Sequence, residues 1–170
     1  YFFGMVLSRA RYKYYYYQDH PFTTVEAIFA HEQAFAFFEG IPGEIVYDQD
    51  TLLLISENKG DLILTEAFRK YAEYRGFKLH FCRKSDPQSK GKVENVIKYA
   101  KHNFLRGRRY HNDKVLNGES IAWLGRTANA KEHSSIKKIP YEEWLMEKMF
   151  LNPILGSYKP ENVLDEHDVI

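Results

Sequence analysis

A chain of 170 residues with 44% apolar content can form one domain with a sizeable core, is too short for two domains of ordinary size, and lies outside the composition of disordered chains. Its single cysteine, Cys82, excludes an internal disulfide framework and a cysteine-rich zinc site and fits a cytosolic setting. The formal charge is only +1, but ten Lys or Arg face three acids from Arg83 to Lys114, a balance of +7, while two lysines face seven acids from Pro140 to Ile170, a balance of −5. The expected field is therefore positive over the middle of the chain.

No stretch has the apolar length of a membrane span, and the N-terminus YFFGMVLSRAR lacks the flanks of a secretory signal. The chain starts without methionine and goes directly into strand-like sequence, which predicts a fragment with an upstream part. Phe2 to Ser8 reads as a central strand, Arg9-Ala10-Arg11 as a turn, and Tyr12 to Tyr17 as a second strand closing an antiparallel hairpin. The tyrosines of YKYYYY are expected to pack, with hydroxyls at the rim of the sheet.

Thr23 or Thr24 is expected to cap a helix running to about Glu39, with Glu26 in the first turn and Ala27, Ile28, Ala34, Phe35 and Phe38 on its apolar stripe. Gly40 is its predicted terminator, and Pro42-Gly43 the turn into a short buried strand, Glu44 to Tyr47. Thr51 to Ile55 reads as a short strand or a surface excursion, and Ser56 to Gly60 as a loop. A second helix is predicted over Leu62 to Tyr74, packing through Leu64, Phe68, Tyr71 and Ala72 and ending near Gly76. Phe77 to Phe81 follows as a strand. The order of strands and helices predicts an α/β fold with a mixed central sheet flanked by helices, its first strand preceding Tyr1.

Ser85 to Leu105 begins as a polar turn at Asp86-Pro87 and becomes a basic amphipathic helix. Val93, Ile97, Ala100 and Phe104 share one face, and Glu94, Lys98, Lys101 and Leu105 an adjacent one. Gly107 to Asn117 reads as a basic loop and Gly118 to Ala130 as holding a short helix. Pro140 opens a helix through Met149 from which Trp144, Leu145 and Phe150 are expected to pack on the main body. The predicted organisation is a core over 1–110, a helical extension over 111–155 and a poorly structured acidic tail over 156–170.

The strand ending at Tyr47 delivers Asp48, and the basic helix carries Glu94. A strand-end Asp and a helix-borne Glu can meet over a divalent cation such as Mg²⁺, which takes oxygen ligands and serves phosphoryl transfer. A third ligand would define two metal positions; Asp50 is a candidate that reads more naturally as part of the following turn, and Asp19 is a weaker one. Lys84, Lys90, Lys92, Lys98, Lys101, Arg106, Arg108 and Arg109 are the candidate phosphate contacts. His80, His102, His111 and His133 have no metal-ligand spacing, and Trp123 and Trp144 read as packing anchors.

At FEGIPGEIVYDQD and SDPQSKGKVENVIKYAKHNFL the sequence resembles the catalytic core of DDE transposases and retroviral-type integrases, specifically the IstA-like transposases of bacterial insertion sequences. LSRARYKYYYY resembles their second and third strands, and WLGRTANAKEHSSIKKIPYEEWL the segment after the core, so the likeness covers about residues 1–155. The resemblance implies an RNase H-like fold, two Mg²⁺ or Mn²⁺ ions held by Asp, Asp and Glu, DNA cleavage at transposon ends and strand transfer. Asp48 matches the second Asp and Glu94 the Glu, while the first Asp would lie on the strand before Tyr1, so this fragment is expected to be inactive alone. Gln49 stands where the family has Asn. The resemblance also implies double-stranded DNA as partner, self-assembly on DNA, an ATPase helper and a bacterial cytoplasmic setting. The other readings are an RNase H-like nuclease that cuts without joining and a non-catalytic basic architectural module.

Overall fold

The computed structural model describes residues 1–48, 54–55, 60–61, 65–82 and 95–159. Strands β1 (Phe2–Val6) and β2 (Lys13–Tyr17) form the predicted antiparallel hairpin, with Phe2 opposite Tyr17 and Val6 opposite Lys13. Its turn closes through the Leu7 amide on the Tyr12 carbonyl (2.9 Å) and the Arg11 amide on the Leu7 carbonyl (2.8 Å), with Arg11 in the left-handed region at φ 60°. Alternation sends side chains to both faces of this ribbon. Phe3, Met5, Tyr12 and Tyr14 enter one hydrophobic cluster with the helix that follows; Tyr15 and Tyr17 enter another with Val96, Ala100, Phe104, Trp123 and Leu124. The tyrosines pack as expected, but the hydroxyls of Tyr15 and Tyr17 are buried instead of lying at the rim.

Helix α1 (Thr24–Phe38) is capped by Thr23, whose hydroxyl accepts from the Glu26 amide (3.1 Å) and donates to the Glu26 carboxylate (3.0 Å). Ala27, Ile28, Ala34, Phe35 and Phe38 are buried, as the periodicity requires. The left-handed terminator is Glu39 at φ 58°, not Gly40. Gly40 answers a different demand: a Cβ there would lie 2.5 Å from the Leu151 Cβ, because Ile41 and Asn152 exchange backbone hydrogen bonds of 2.8 and 2.9 Å beside it.

Strand β3 (Glu44–Asp48) ends at the predicted Asp. β4 (Leu54–Ile55) pairs antiparallel with β5 (Gly60–Asp61), so the strand alternative for Thr51 to Ile55 holds at its end, and Gly60 belongs to a strand rather than to a loop. α2 (Glu66–Arg75) has Thr65 as N-cap and Gly76, at φ 76°, as C-cap. Phe68, Tyr71 and Ala72 are buried, while Leu64 lies outside the described residues. β6 (Lys78–Cys82) then pairs parallel to β3, with Asp48 opposite Cys82. The parallel pair requires a crossover, and α2 lies within it. The chain is thus mixed α/β, but its described strands form three two-stranded sheets instead of the single sheet predicted. Val46 is 38% exposed, so β3 is not buried throughout.

The basic helix is helical over 95–100 (α3) and widens into a π turn, Lys101–Leu105. Its buried face runs through Val96, Ala100 and Phe104, with Ile97 only partly buried. The Tyr15 hydroxyl donates to the Val96 carbonyl (2.7 Å), and Val96 lies against Gly4, seating the helix on the hairpin. α4 (Asp113–Trp123) starts inside the predicted basic loop because the Asn112 side chain caps it, accepting from the Val115 amide (2.9 Å), and a π turn continues it to Ala128. α5 (Pro140–Glu147) docks through Trp144, which stacks on Tyr12 at 4.8 Å and donates from Nε1 to the Phe38 carbonyl (2.8 Å). Leu145 and Phe150 are 41% and 82% exposed, so the expectation that they pack on the body fails; only the face bearing Trp144 and Glu143 is turned inward. Of the expected tail, 160–170 lies outside the described residues. Among the described residues no helix is long and apolar enough to cross a membrane.

Buried polar groups join these parts. Asn129 accepts from the Lys13 amide (2.8 Å) and donates to the Lys13 carbonyl (2.9 Å); Asn117 does the same for Tyr17, at 2.8 Å in both directions. The Arg75 guanidinium pairs with Glu32, which also accepts from the Tyr71 hydroxyl (2.6 Å), and donates to the Leu155 carbonyl (2.8 Å). His31 is fully buried in α1, its Nδ1 2.7 Å from the Ala27 carbonyl and its Nε2 3.0 Å from the Tyr47 hydroxyl.

Asn129→Leu is expected to leave the Lys13 amide and carbonyl unpaired, lowering stability by about 3 kcal/mol in urea unfolding and accelerating hydrogen exchange at the Lys13 amide. For His31, burial lowers the pKa from 6.5 to about 4. The unfolded chain therefore binds the proton first as pH falls, and this group's stabilisation, fully present above pH 6.5, is lost as pH falls towards 4. The loss should be on the order of 3 kcal/mol, and His31→Gln should flatten the stability profile of the wild type between those limits in urea titrations at stepped pH.

Candidate nucleic-acid interface and metal site

Asp48 closes β3 in parallel register with β6, so it stands at the carboxyl end of a parallel strand pair, where open α/β sheets place their ligand-binding residues. Backbone pairing places the residue. Glu94, Asp50 and the Asp86-Pro87 turn fall outside the described residues, as do Lys84, Lys90 and Lys92. The helix that Glu94 was predicted to occupy is present from 95 onward and sits on the hairpin.

Of the predicted phosphate contacts on described segments, Lys98, Lys101, Arg106 and Arg109 are exposed. Arg108 is engaged within the protein. Its Nη1 lies 2.9 Å from the Glu119 carboxylate, its Nε donates to the Phe104 carbonyl (3.1 Å), and its guanidinium covers the Phe104 ring at 4.2 Å. It joins the end of the π turn to α4.

Among the described residues one group of potential metal ligands converges: Asp19, His20 and Asp113. His20 lies between two carboxylates, with Nδ1 2.8 Å from Asp19 and Nε2 against Glu26, and these partners raise its pKa. Both ring nitrogens are thus engaged by carboxylates within the protein. Asp113 in turn accepts from the Tyr110 hydroxyl (2.9 Å). The cluster is a hydrogen-bonded surface knot joining the N-terminal ends of α1 and α4. His80 is exposed, 3.4 Å from Glu44, and His102 and His111 are exposed as well.

The sequence reading missed a basic cleft. Arg11, Lys13, Lys131 and His133 line it together with Lys98 and His102, so residues from the hairpin, α3 and the segment after α4 meet there. The one signal in the sequence was Arg11-x-Lys13 at the end of a turn, but the distance in sequence from 13 to 131 hides the convergence.

Comparison with known proteins decides the kinship. The chain is 49% identical over 160 residues to a Bacteroides fragilis protein named as the transposase for an IS21-like insertion sequence element, covering 94% of this chain and 31% of that protein. The chain belongs to the IS21-like transposases. It is also 30% identical over 117 residues, 69% of the chain, to a putative IS5376 transposase of Geobacillus stearothermophilus, and 28% identical over 123 residues, 72% of the chain, to the IS21 transposase of Pseudomonas aeruginosa. The chain spans about a third of the length of these relatives, 31%, 29% and 32% of the three. No protein-family model matches the chain.

The contrast between two neighbouring arginines of this IS21-like chain can be measured. Arg108→Ala is expected to lower thermal stability by about 1–2 kcal/mol through loss of the charge-assisted bonds and the stacking on Phe104, whereas Arg109→Ala should leave the unfolding transition in place.

Proposed function

We propose that this chain forms part of the catalytic core of a metal-dependent DNA transposase that cleaves DNA at insertion-sequence ends and transfers the strand. The observation carrying the reading is its 49% identity, over 94% of its length, to an IS21-like transposase. The mixed α/β architecture supports an RNase H-like assignment: an antiparallel hairpin, a helix against it, and a parallel pair whose crossover contains a second helix.

The donor set suits a hard divalent cation, since Asp48 and Glu94 offer carboxylate oxygens and such ions prefer oxygen ligands. In this reading Asp48 and Glu94 hold Mg²⁺ or Mn²⁺, two ions in the intact site. When bound, such ions activate a water or a 3′-hydroxyl and stabilise the leaving oxygen of an in-line displacement at phosphorus. Asp48 contributes position, fixed by the strand register that sets it opposite Cys82. Lys98, Lys101, Arg106 and Arg109, with Lys84, Lys90 and Lys92, would neutralise backbone phosphates and hold double-stranded DNA without reading its bases. Assembly of copies on DNA, an ATPase helper and a bacterial cytoplasmic setting belong to the same proposal.

Backbone NMR during Mg²⁺ titration tests the metal site directly. The expected result is saturable shifts at Tyr47, Asp48 and the residues around Glu94, abolished by Asp48→Asn and by Glu94→Gln in chains that keep the wild-type fold. A folded chain whose spectrum is indifferent to Mg²⁺ and Mn²⁺ there, even with duplex DNA bound, would turn the reading towards a non-catalytic DNA-binding module.

A further inference from the structure

The basic cleft between the hairpin, α3 and the segment after α4 has a volume of about 790 Å³ and an unusual floor. Lys13 is only 5% exposed although its side chain carries an ammonium group. Its backbone is fixed on both sides by Asn129, and its Nζ donates to the Arg11 carbonyl (2.9 Å) while lying 5.3 Å from the centre of the Tyr99 ring. Beside it, the Arg11 Nε is buried without a hydrogen-bond partner. Among the described residues no ion pair joins Arg11 or Lys13 to a carboxylate; the single acidic residue lining the cleft, Glu132, is exposed.

Two cations thus share a partly dehydrated floor without an ion-pair partner among the described residues. Burial first, and Arg11 second, bring the Lys13 pKa down to about 8, and burial first, with Lys13 and Arg11 after it, lowers that of His133. Such an arrangement is unfavourable for folding, because a buried charge needs a partner. Arg11 is moreover held at φ 60°, a region that non-glycine residues seldom occupy. Lys98 and Lys131 add positive charge at the same cleft, and Ser134 and Ser135 add hydroxyl donors. The missing component is an anion with several acceptor oxygens.

We propose that this cleft is a phosphate-binding site in which Arg11 and Lys13 grip one phosphodiester of a DNA backbone, flanked by Lys98 and Lys131. The assignment of the phosphate to DNA rests on the transposase reading; the phosphate site itself rests on the cleft. Contacts of this kind fix the register of the backbone and carry no base information. Asp48 is not among the residues lining the cleft, and Arg11 and Lys13 offer only cationic donors, so they position DNA and do not supply metal ligands.

Arg11→Asn, which tolerates the left-handed backbone, and Lys13→Met, which keeps the buried volume, test it together. Anisotropy with a labelled 20-base-pair duplex should show affinity reduced roughly tenfold in the double variant. The slope of log K against log salt should become shallower by about 1, as expected when one phosphate is no longer neutralised by the protein. Lys70→Ala on α2 is the control and should change neither. Thermal melting separates function from structure, because removing an unpaired buried cation should leave the melting temperature unchanged or raised. A parallel arm titrates inorganic phosphate and follows the Lys13 and Tyr99 amides by NMR, where shifts absent from the double variant are expected. Unchanged duplex affinity and slope in a folded double variant would overturn the site while leaving the transposase reading intact. If the wild type binds no duplex but its Lys13 and Tyr99 amides respond to phosphate, the anion site stands and its assignment to DNA falls, together with the reading it rests on. Indifference to both probes would overturn the proposal outright.

Discussion

The outer edge of β2 is closed by two asparagine side chains, and the rest of the arrangement depends on that closure. An edge strand presents unpaired amides and carbonyls that invite pairing with another chain. Here Asn117 and Asn129 each supply one acceptor and one donor, acting as short surrogates for a neighbouring strand at Tyr17 and Lys13. Because the two asparagines come from α4 and from the end of the π turn that follows it, the bonds also fix the position of that helical segment. Trp123 and Leu124 are thereby held against Tyr15 and Tyr17, and Trp123 against the Phe104 ring at 5.1 Å. Covering one face of the hairpin and capping its edge are a single event.

On the opposite face α1 performs the joining. It packs on Phe3, Met5, Tyr12 and Tyr14, while His31 reaches the Tyr47 hydroxyl on β3 and Glu32 reaches Arg75 and Tyr71 on α2. These polar contacts are directional, whereas the surrounding aromatic packing is tolerant of small rotations. The strand that ends in Asp48 is consequently referenced to the hairpin through a neutral buried histidine, and α2 through a buried guanidinium that also ties down Leu155. Trp144 and the Ile41–Asn152 backbone exchange complete the attachment at the far end of α1. The result is a parallel strand pair and an antiparallel one held by one helix.

How much of this could be read in advance follows from which forces are local. Thr23 and Gly76 announce helix ends through bonds spanning three or four residues, and the apolar stripe of α1 repeats with the helix itself, so both are legible, whereas Thr65, the cap of α2, lies inside the helix expected from Leu62. Glu39 took the left-handed position because Gly40 was needed for the close passage of Leu151, a contact between positions more than a hundred residues apart. α4 was placed five residues late because its cap is an asparagine inside a basic stretch, where charge obscured the start signal. The π turn at Lys101–Leu105 and the partners on the hairpin put Val96, rather than Ile97, on the buried side of α3. Leu145 and Phe150 obeyed no periodicity that the body could use, and hydropathy alone assigned them inward. For the site, Asp48 is legible as the end of a strand, whereas the cleft floor is not, since Lys13 and Lys131 are brought together only by the fold.

The linear run of positive charge and the positive surface are therefore different objects. Arg108 lies within the run yet is neutralised by Glu119, while Arg11 and Lys13 lie far upstream of the run yet share a cleft with Lys98. A solvated lysine on a helix costs little to keep and gains little on meeting a phosphate, because water already satisfies it. A lysine whose backbone is clamped, whose stem is buried and whose ammonium lies over an aromatic ring has lost most of that solvation before any ligand arrives. The energetic penalty is incurred on folding, so a phosphate arriving there meets a preorganised partner and loses less ordering entropy than it would at a mobile side chain. Selection for stability alone would replace Lys13 with a neutral residue of similar shape, as buried ion pairs often can be replaced. Its presence at the junction of three elements is a reason to assign it to binding and not to the stability of the fold.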